Sequence, residues 1–265
     1  MPRQVTAFSN ATVKLLRSLR DKKARRAEGL FLAEGLRILA EARDSGRLPE
    51  IVAFSSEGAG HPLAAEIIAA TEAAGGDAIE TTSDILSKMS GKDNPQMLLG
   101  AYRQPETGLD RIDRSKSPLW IVAQALRDPG NLGTILRTGD AVGAGGLILI
   151  DDSADPFSVE AVRASMGAVF TQQIAAARWP EFLAWLRSGE GQLVGTSLKA
   201  TQDYLAVEYR KPCFLLIGNE QQGLPADYEA ECDLLVKIPM AGRADSLNAA
   251  MAAAVMAFAI KASWR

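Results

Sequence analysis

Histidine and cysteine are scarce in this chain: His61 stands alone, and Cys213 and Cys232 are the only thiols among 265 residues. A lone histidine before Pro62, in a turn-like stretch, reads as a surface residue, so Ser-His-Asp chemistry and His-rich metal sites are not expected. The two cysteines lack the spacing of a metal or redox pair. With no signal-peptide pattern, they read as buried free thiols in a reducing cytoplasm. Long apolar runs are missing too. The longest, Leu247 to Ile260, is shorter than the roughly 20 residues a bilayer span needs. It contains Asn248 and is mostly alanine, which suits a buried helix that another helix can approach closely; no membrane role follows. No Walker A sequence, zinc spacing or paired catalytic carboxylates occur. The stretch Gly143-Ala-Gly145-Gly146 follows a helix and precedes a strand, the wrong order for a dinucleotide-binding loop.

What is present is enough chain for two domains, with the apolar and charged fractions of a soluble globular protein. The net charge of −3 hides an asymmetry. Residues 1–30 carry Arg3, Lys14, Arg17, Arg20, Lys22, Lys23, Arg25 and Arg26 against only Asp21 and Glu28. Such a cluster is either a footprint for phosphates or a solvated helix face.

Residues 9–28 read as one basic helix, capped by Ser9 or Asn10, with Val13, Leu15, Leu16 and Leu19 on its apolar side. Short strand and helix patterns then alternate through Tyr102, making a small α/β domain. The charged, aperiodic stretch 103–118 marks a boundary. Beyond it, Trp120–Ala123, Leu147–Ile150, Leu193–Gly195, Phe214–Ile217 and Leu234–Ile238 are near-continuous apolar runs. Runs of that kind belong to strands covered on both faces, hence to a largely parallel sheet. Helices are expected over Leu132–Val142, Val159–Ala164, Pro180–Arg187 and Leu247–Lys261. The fold class is α/β, with domains 1–103 and 119–265 joined by a linker over 104–118.

Three segments of the second domain carry polar groups at strand ends. In Asp128-Pro-Gly-Asn131-Leu-Gly133-Thr-Ile-Leu-Arg137, Asn131 can cap a helix whose free N–H groups favour anions. Gly218-Asn-Glu220-Gln-Gln-Gly223 follows a strand, at the sheet end where open α/β folds bind ligands. There Glu220 can hold Arg137 or a ligand ammonium, or can serve only as a first-turn acid. Ile238-Pro-Met opens a loop leading to Ser246-Leu247-Asn248. Ser246 can cap the alanine-rich helix, and Asn248 needs a polar partner. Each segment alone is compatible with ordinary capping.

In this order the three segments resemble the motifs of the SpoU/TrmH-type RNA ribose 2′-O-methyltransferases, a branch of the trefoil-knotted SPOUT class. Ser158–Ala168 resembles the helix linking the first two motifs. Phe31-Leu-Ala-Glu34-Gly35, with the basic helix before it, is similar to the L30e-like substrate-binding domain of longer members. The resemblance implies a knot near the C-terminus, a homodimer with active sites near its interface, and methyl transfer from S-adenosyl-L-methionine to a ribose 2′-hydroxyl. Cofactor contacts would fall on Thr196, Gly218, Ile238 and Leu247, with no metal. The implied catalytic set is Arg137, Asn131, Glu220, Ser246 and Asn248. Arg137 would bind phosphate and offset charge on the 2′-oxygen, or act as base; Asn131 and Glu220 would orient it, while Ser246 and Asn248 shape the pocket. Lys14, Lys22, Lys23, Arg25 and Arg26 are the expected RNA contacts. Ribosomal RNA is slightly favoured over transfer RNA. A non-catalytic RNA-binding or ribosome-assembly protein of the same fold is the alternative.

Overall fold

A computed structural model of the chain describes residues 2–265. It divides into two compact units, one running to Pro105 and also taking in Asp155–Thr171, the other formed by Glu106–Ala154 with Gln172–Arg265.

The first unit begins with strand β1 (Arg3–Val5), then helices α1 (Ala11–Ser18) and α2 (Lys22–Glu28). The expected single basic helix is therefore two. Its break at Leu19–Asp21 has a local cause: Asp21 accepts hydrogen bonds from the Lys23 and Ala24 amides and caps a new helix. There follow β2 (Leu30–Glu34), α3 (Leu36–Asp44), β3 (Ile51–Phe54), α4 (Ser56–Gly60), α5 (Pro62–Ala73), β4 (Asp77–Thr81), α6 (Ser83–Ser90) and β5 (Leu98–Arg103). They form a sheet in the order β1-β4-β3-β5-β2, parallel through β1, β4 and β3 and antiparallel across β5. Buried Leu16, Leu19, Leu32, Ile79 and Leu86 are part of its core. Segment 155–171, expected inside the second domain, packs here instead. Phe157 and Phe170 lie 5.2 and 5.7 Å from the Phe31 ring, and Phe170 lies 4.7 Å from Tyr102.

The second unit contains β6 (Leu119–Gln124), α7 (Pro129–Val142) and β7 (Gly146–Ile150). The first unit's α8 (Val159–Ser165) and α9 (Ala168–Thr171) intervene in the chain. The second unit then continues through β8 (Gln173–Ala177), α10 (Trp179–Arg187), β9 (Gln192–Thr196), β10 (Gln202–Asp203), β11 (Cys213–Ile217), α11 (Ala226–Ala230), β12 (Leu234–Lys237) and α12 (Ala249–Ala262). Its sheet, β10-β12-β9-β11-β6-β7-β8, is parallel throughout. The apolar runs account for the central strands, fully buried as two-sided cover requires. From β6 the chain steps outward to β7 and β8, then returns to the other side for β9 and β11. That reversal brings the carboxyl ends of β6, β11, β9 and β12 side by side, the position where open α/β sheets form binding crevices. Helix α12 packs on α7, β6 and β11. Among the described residues no helix is long and apolar enough to cross a membrane.

Candidate active site

The loops after β6, β9, β11 and β12 converge on the crevice. Asp128 rather than Asn131 caps α7: its carboxylate accepts the Asn131 amide at 2.7 Å, and the helix begins at Pro129, which has no amide hydrogen to leave unpaired. The side chain of Asn131 is thereby released from capping. Its Nδ2 donates to Glu220 Oε1 at 3.0 Å, and its Oδ1 accepts from Asn248 Nδ2 at 2.9 Å. Asn248, not Ser246, caps α12, its Oδ1 accepting the Ala250 and Met251 amides at 2.8 and 3.4 Å. Each amide thus has both ends engaged. One continuous hydrogen-bonded chain, Glu220–Asn131–Asn248, joins all three motifs.

Glu220 does not hold Arg137. It sits in a tight hairpin closed by Asn219 and Gly223, whose backbones bond each other in both directions at 2.9 and 3.2 Å, so it is no first-turn helix acid either. Gly218 and Gly223 make the hairpin possible. A Cβ on Gly218 would stand 2.5 Å from the Leu224 nitrogen, and Gly223 has φ +68°. Arg137 lies exposed farther along α7, with no ion-pair partner among the described residues. A guanidinium left free in this way is available to a phosphate.

Beside the Asn131–Glu220 pair lies a cavity of about 260 Å³. Its wall is apolar, from Ile217, Leu224, Val236, Ile238, Ala249 and Ala252. Thr196, Gly218 and Leu247, the other expected cofactor contacts, also line it, as do Glu220 and exposed Ser246. Arg137, Asn131 and Asn248 are not part of its lining. Apolar walls with a Gly218 backbone flush against them, and charged Glu220, Lys199 and Lys237 also among the lining, fit a flat aromatic base carrying a charged amino-acid tail. S-adenosylmethionine has that composition. Lys199 and Lys237 were not singled out by sequence; they lie just past β9 and at the end of β12, where strand-end position was the available signal.

Below the hairpin, Tyr228 on α11 stacks on Trp179, ring centres 3.9 Å apart, and donates to Asp151 at 2.8 Å. Burial, and then this hydrogen bond, raise its hydroxyl above the ordinary phenol range. Burial likewise pushes the Cys213 and Cys232 thiols up to about 12. Neither is disulfide-bonded, and among the described residues no group of three or more His, Cys, Asp or Glu is placed to hold a metal.

On the first unit, Lys14, Lys22, Lys23 and Arg26 are exposed, as are Arg17 and Arg20. Arg25 is not: only 3% of it is accessible. Its Nε and Nη2 grip Asp155 at 3.1 and 2.6 Å, and Nη1 donates to the Leu19 and Arg20 carbonyls at 2.9 and 2.8 Å. A buried guanidinium must be paired in this way, and its donors are then spent. Arg25 is therefore not available to RNA, contrary to expectation, and instead brackets the α1–α2 turn.

Residues 118–258 match the SpoU rRNA methylase family, and residues 10–100 match an MRM3-like substrate-binding domain. This chain belongs to the SpoU family. An AdoMet-bound rRNA methyltransferase from Sinorhizobium meliloti is 40% identical, with a TM-score of 0.90 over 98% of this chain and 97% of that one. The 23S rRNA (uridine(2479)-2′-O)-methyltransferase of Streptomyces viridochromogenes is 32% identical over 90% of this chain and 84% of its own. RlmP of Bacillus subtilis, a 23S rRNA (guanosine(2553)-2′-O)-methyltransferase, is 27% identical over 98% and 99%. The SpoU match spans β6 to most of α12, so the converging loops described above lie within the family's shared region.

Proposed function

We propose that this SpoU-family chain is an S-adenosylmethionine-dependent enzyme that methylates a ribose 2′-hydroxyl in 23S rRNA. The observation that carries this reading is the Glu220–Asn131–Asn248 chain set against a cavity of the right size and polarity for the cofactor. When bound, S-adenosylmethionine supplies an electrophilic methyl on a sulfonium. The residues supply alignment and electrostatics. Thr196, Gly218, Ile238 and Leu247 hold the cofactor. Arg137 binds the phosphate next to the target ribose and offsets negative charge growing on the 2′-oxygen. A guanidinium stays protonated in proteins and is a poor proton acceptor, so electrostatic stabilisation is the role we assign it. Asn131, fixed at both ends, holds the start of α7 so that Arg137 is presented consistently, and Ser246 borders the cofactor.

The 23S rRNA specificity named for two relatives supports ribosomal over transfer RNA as substrate. The exposed Lys14, Lys22, Lys23 and Arg26, joined by Arg17 and Arg20, would bind its phosphates. A homodimer is supported by α12, where Met251, Val255 and Phe258, together with Leu247 just before the helix, leave apolar side chains exposed at helical spacing. A C-terminal trefoil knot, implied by the family resemblance, belongs to the same reading. Two unpaired cysteines suit the reducing cytoplasm.

The test is transfer of tritiated methyl from S-adenosylmethionine to total RNA from cells lacking the protein. Label confined to 23S rRNA and protecting one phosphodiester from alkali is the expected result. Label in transfer RNA, or on a base, would overturn the substrate or the atom assigned. Cofactor binding without transfer to any RNA or ribosomal precursor would favour the non-catalytic binder.

A further inference from the structure

Asn219 lines the cavity but belongs neither to the expected catalytic set nor to the expected cofactor contacts, and both ends of its side-chain amide are engaged within the protein. Its Oδ1 accepts the Gln221 amide at 2.9 Å and the Gln222 amide at 3.4 Å, shaping the hairpin from within. Its Nδ2 points the other way and donates to the Ala125 carbonyl at 2.8 Å, across to the loop after β6. Ala125 has φ +46°, in the left-handed region that an alanine occupies only when its surroundings hold it there. Two contacts do so: the Asn219 bond to its carbonyl, and its own amide donating to Ile150 at 3.0 Å.

These bonds close a ring. Ala125 lies three residues before Asp128, which caps α7, and α7 carries Asn131. Asn219 lies one residue before Glu220, which accepts from Asn131. The ring therefore runs from Asn219 to Ala125, along the chain to Asn131, across to Glu220 and back. Without the first bond, the hairpin beyond the β11–β6 ladder would meet the loop after β6 only through the exposed Glu220 side chain.

We propose that Asn219 is a positioning residue: it fixes the Asn131–Glu220 contact, and through it the start of α7, by locking the hairpin to the left-handed Ala125. This rests on the methyltransferase reading above. Asn219→Asp tests it, because the carboxylate keeps the oxygen that accepts Gln221 and Gln222 while the donor to Ala125 becomes an anionic oxygen that the Ala125 carbonyl repels. The single-turnover rate is expected to fall about 10- to 100-fold, the penalty for displacing a positioned group by around 1 Å. Because Asn219 also lines the cavity, affinity for S-adenosylmethionine is measured alongside, and it should fall by clearly less than the rate does. In a Glu220→Gln background the same change should cost nothing further, because the two residues act as one unit.

An unchanged rate, a parallel loss of rate and cofactor affinity, or fully additive losses in the double variant would each overturn the proposal. If Asn219→Asp does not fold, Asn219→Ser, which keeps an acceptor but cannot span to Ala125, is read by the same criteria. A wild-type chain that methylates no RNA would overturn the function instead. The positioning claim is then decided by the Asn131 side-chain amide signals in a ¹⁵N spectrum: shifted by Asn219→Asp if it holds, unmoved if it does not.

Discussion

Arg25 and Arg137 begin as equals, each an arginine on a helix beside a predicted phosphate site, and end in opposite states. Arg25, within a basic run in the first unit, is buried and has spent its donors on Asp155 and two carbonyls. Arg137, in the second unit, is exposed and unpaired among the described residues, while the Asn131 and Asn248 amides have both ends engaged. Local charge density therefore does not show which arginine is free to bind a phosphate; the state of its donors does. The same contrast separates the units in function. In the proposed division the first would offer exposed cations to a polyanion, and the second would offer Arg137 on the helix whose start the Glu220–Asn131–Asn248 chain braces.

The contrast breaks most sharply at Arg137. Arg137→Ala is expected to reduce turnover on the order of 10²–10³, the usual loss for one electrostatic group at a reacting oxygen. Cofactor affinity, read by calorimetry, should be unchanged; retention of more than a tenth of the rate, that is, less than a roughly tenfold loss, would remove Arg137 from the chemistry. Arg25→Ala should act on folding instead. Leaving Asp155 without its partner is expected to cost about 3 kcal/mol in a denaturant titration, as breaking a buried pair does. A loss of RNA affinity at unchanged stability would return Arg25 to the surface. Reversing Lys22, Lys23 and Arg26 should spare stability and flatten the salt dependence of RNA binding, by about 0.9 in log–log slope for each phosphate no longer neutralised. An unchanged slope would take α2 out of the footprint.

How far these outcomes could be read from sequence differs between the two arginines. The apolar runs declared the buried parallel strands, because strands covered on both faces leave little room for polar residues. The motif residues Asn131, Glu220 and Asn248 were legible as a group. Their roles were not, since moving a cap by three residues, from Asn131 to Asp128, reverses whether the asparagine is free to bond. Arg25 was illegible for a different reason. Its partner is 130 residues away, in a segment that packs with the first unit although the chain enters it from the second. Strand β8, with its sequence Gln-Ile-Ala-Ala-Ala, shows too little apolar bulk to declare itself and is recognisable only from its pairing with β7.

Smaller effects refine the picture. If the proposed homodimer uses α12, Phe258→Glu, which places a charge on its exposed stripe, should shift the chain toward monomer in sedimentation with the isolated fold intact; an unchanged mass would remove α12 as its interface. The thiols offer the mildest signal. Both folded values rise to about 12 from an ordinary value near 9, so the folded state keeps its protons where the unfolded state loses them. Their contribution is complete below about pH 9 and declines as pH climbs toward 12. Stability should therefore fall over that alkaline window, and Cys213→Ala should shallow the fall in a pH-dependent denaturation series.

The separation of binding from chemistry is tested most directly by single-turnover methyl transfer measured against 23S rRNA concentration for two variants. The charge-reversed Lys22/Lys23/Arg26 protein should need more RNA to reach half-maximal rate and should then attain the wild-type maximum. Arg137→Ala should stay slow at every RNA concentration. If instead both variants lower the same maximum, or if Arg137→Ala is restored by excess RNA, the division of labour between the two units is contradicted.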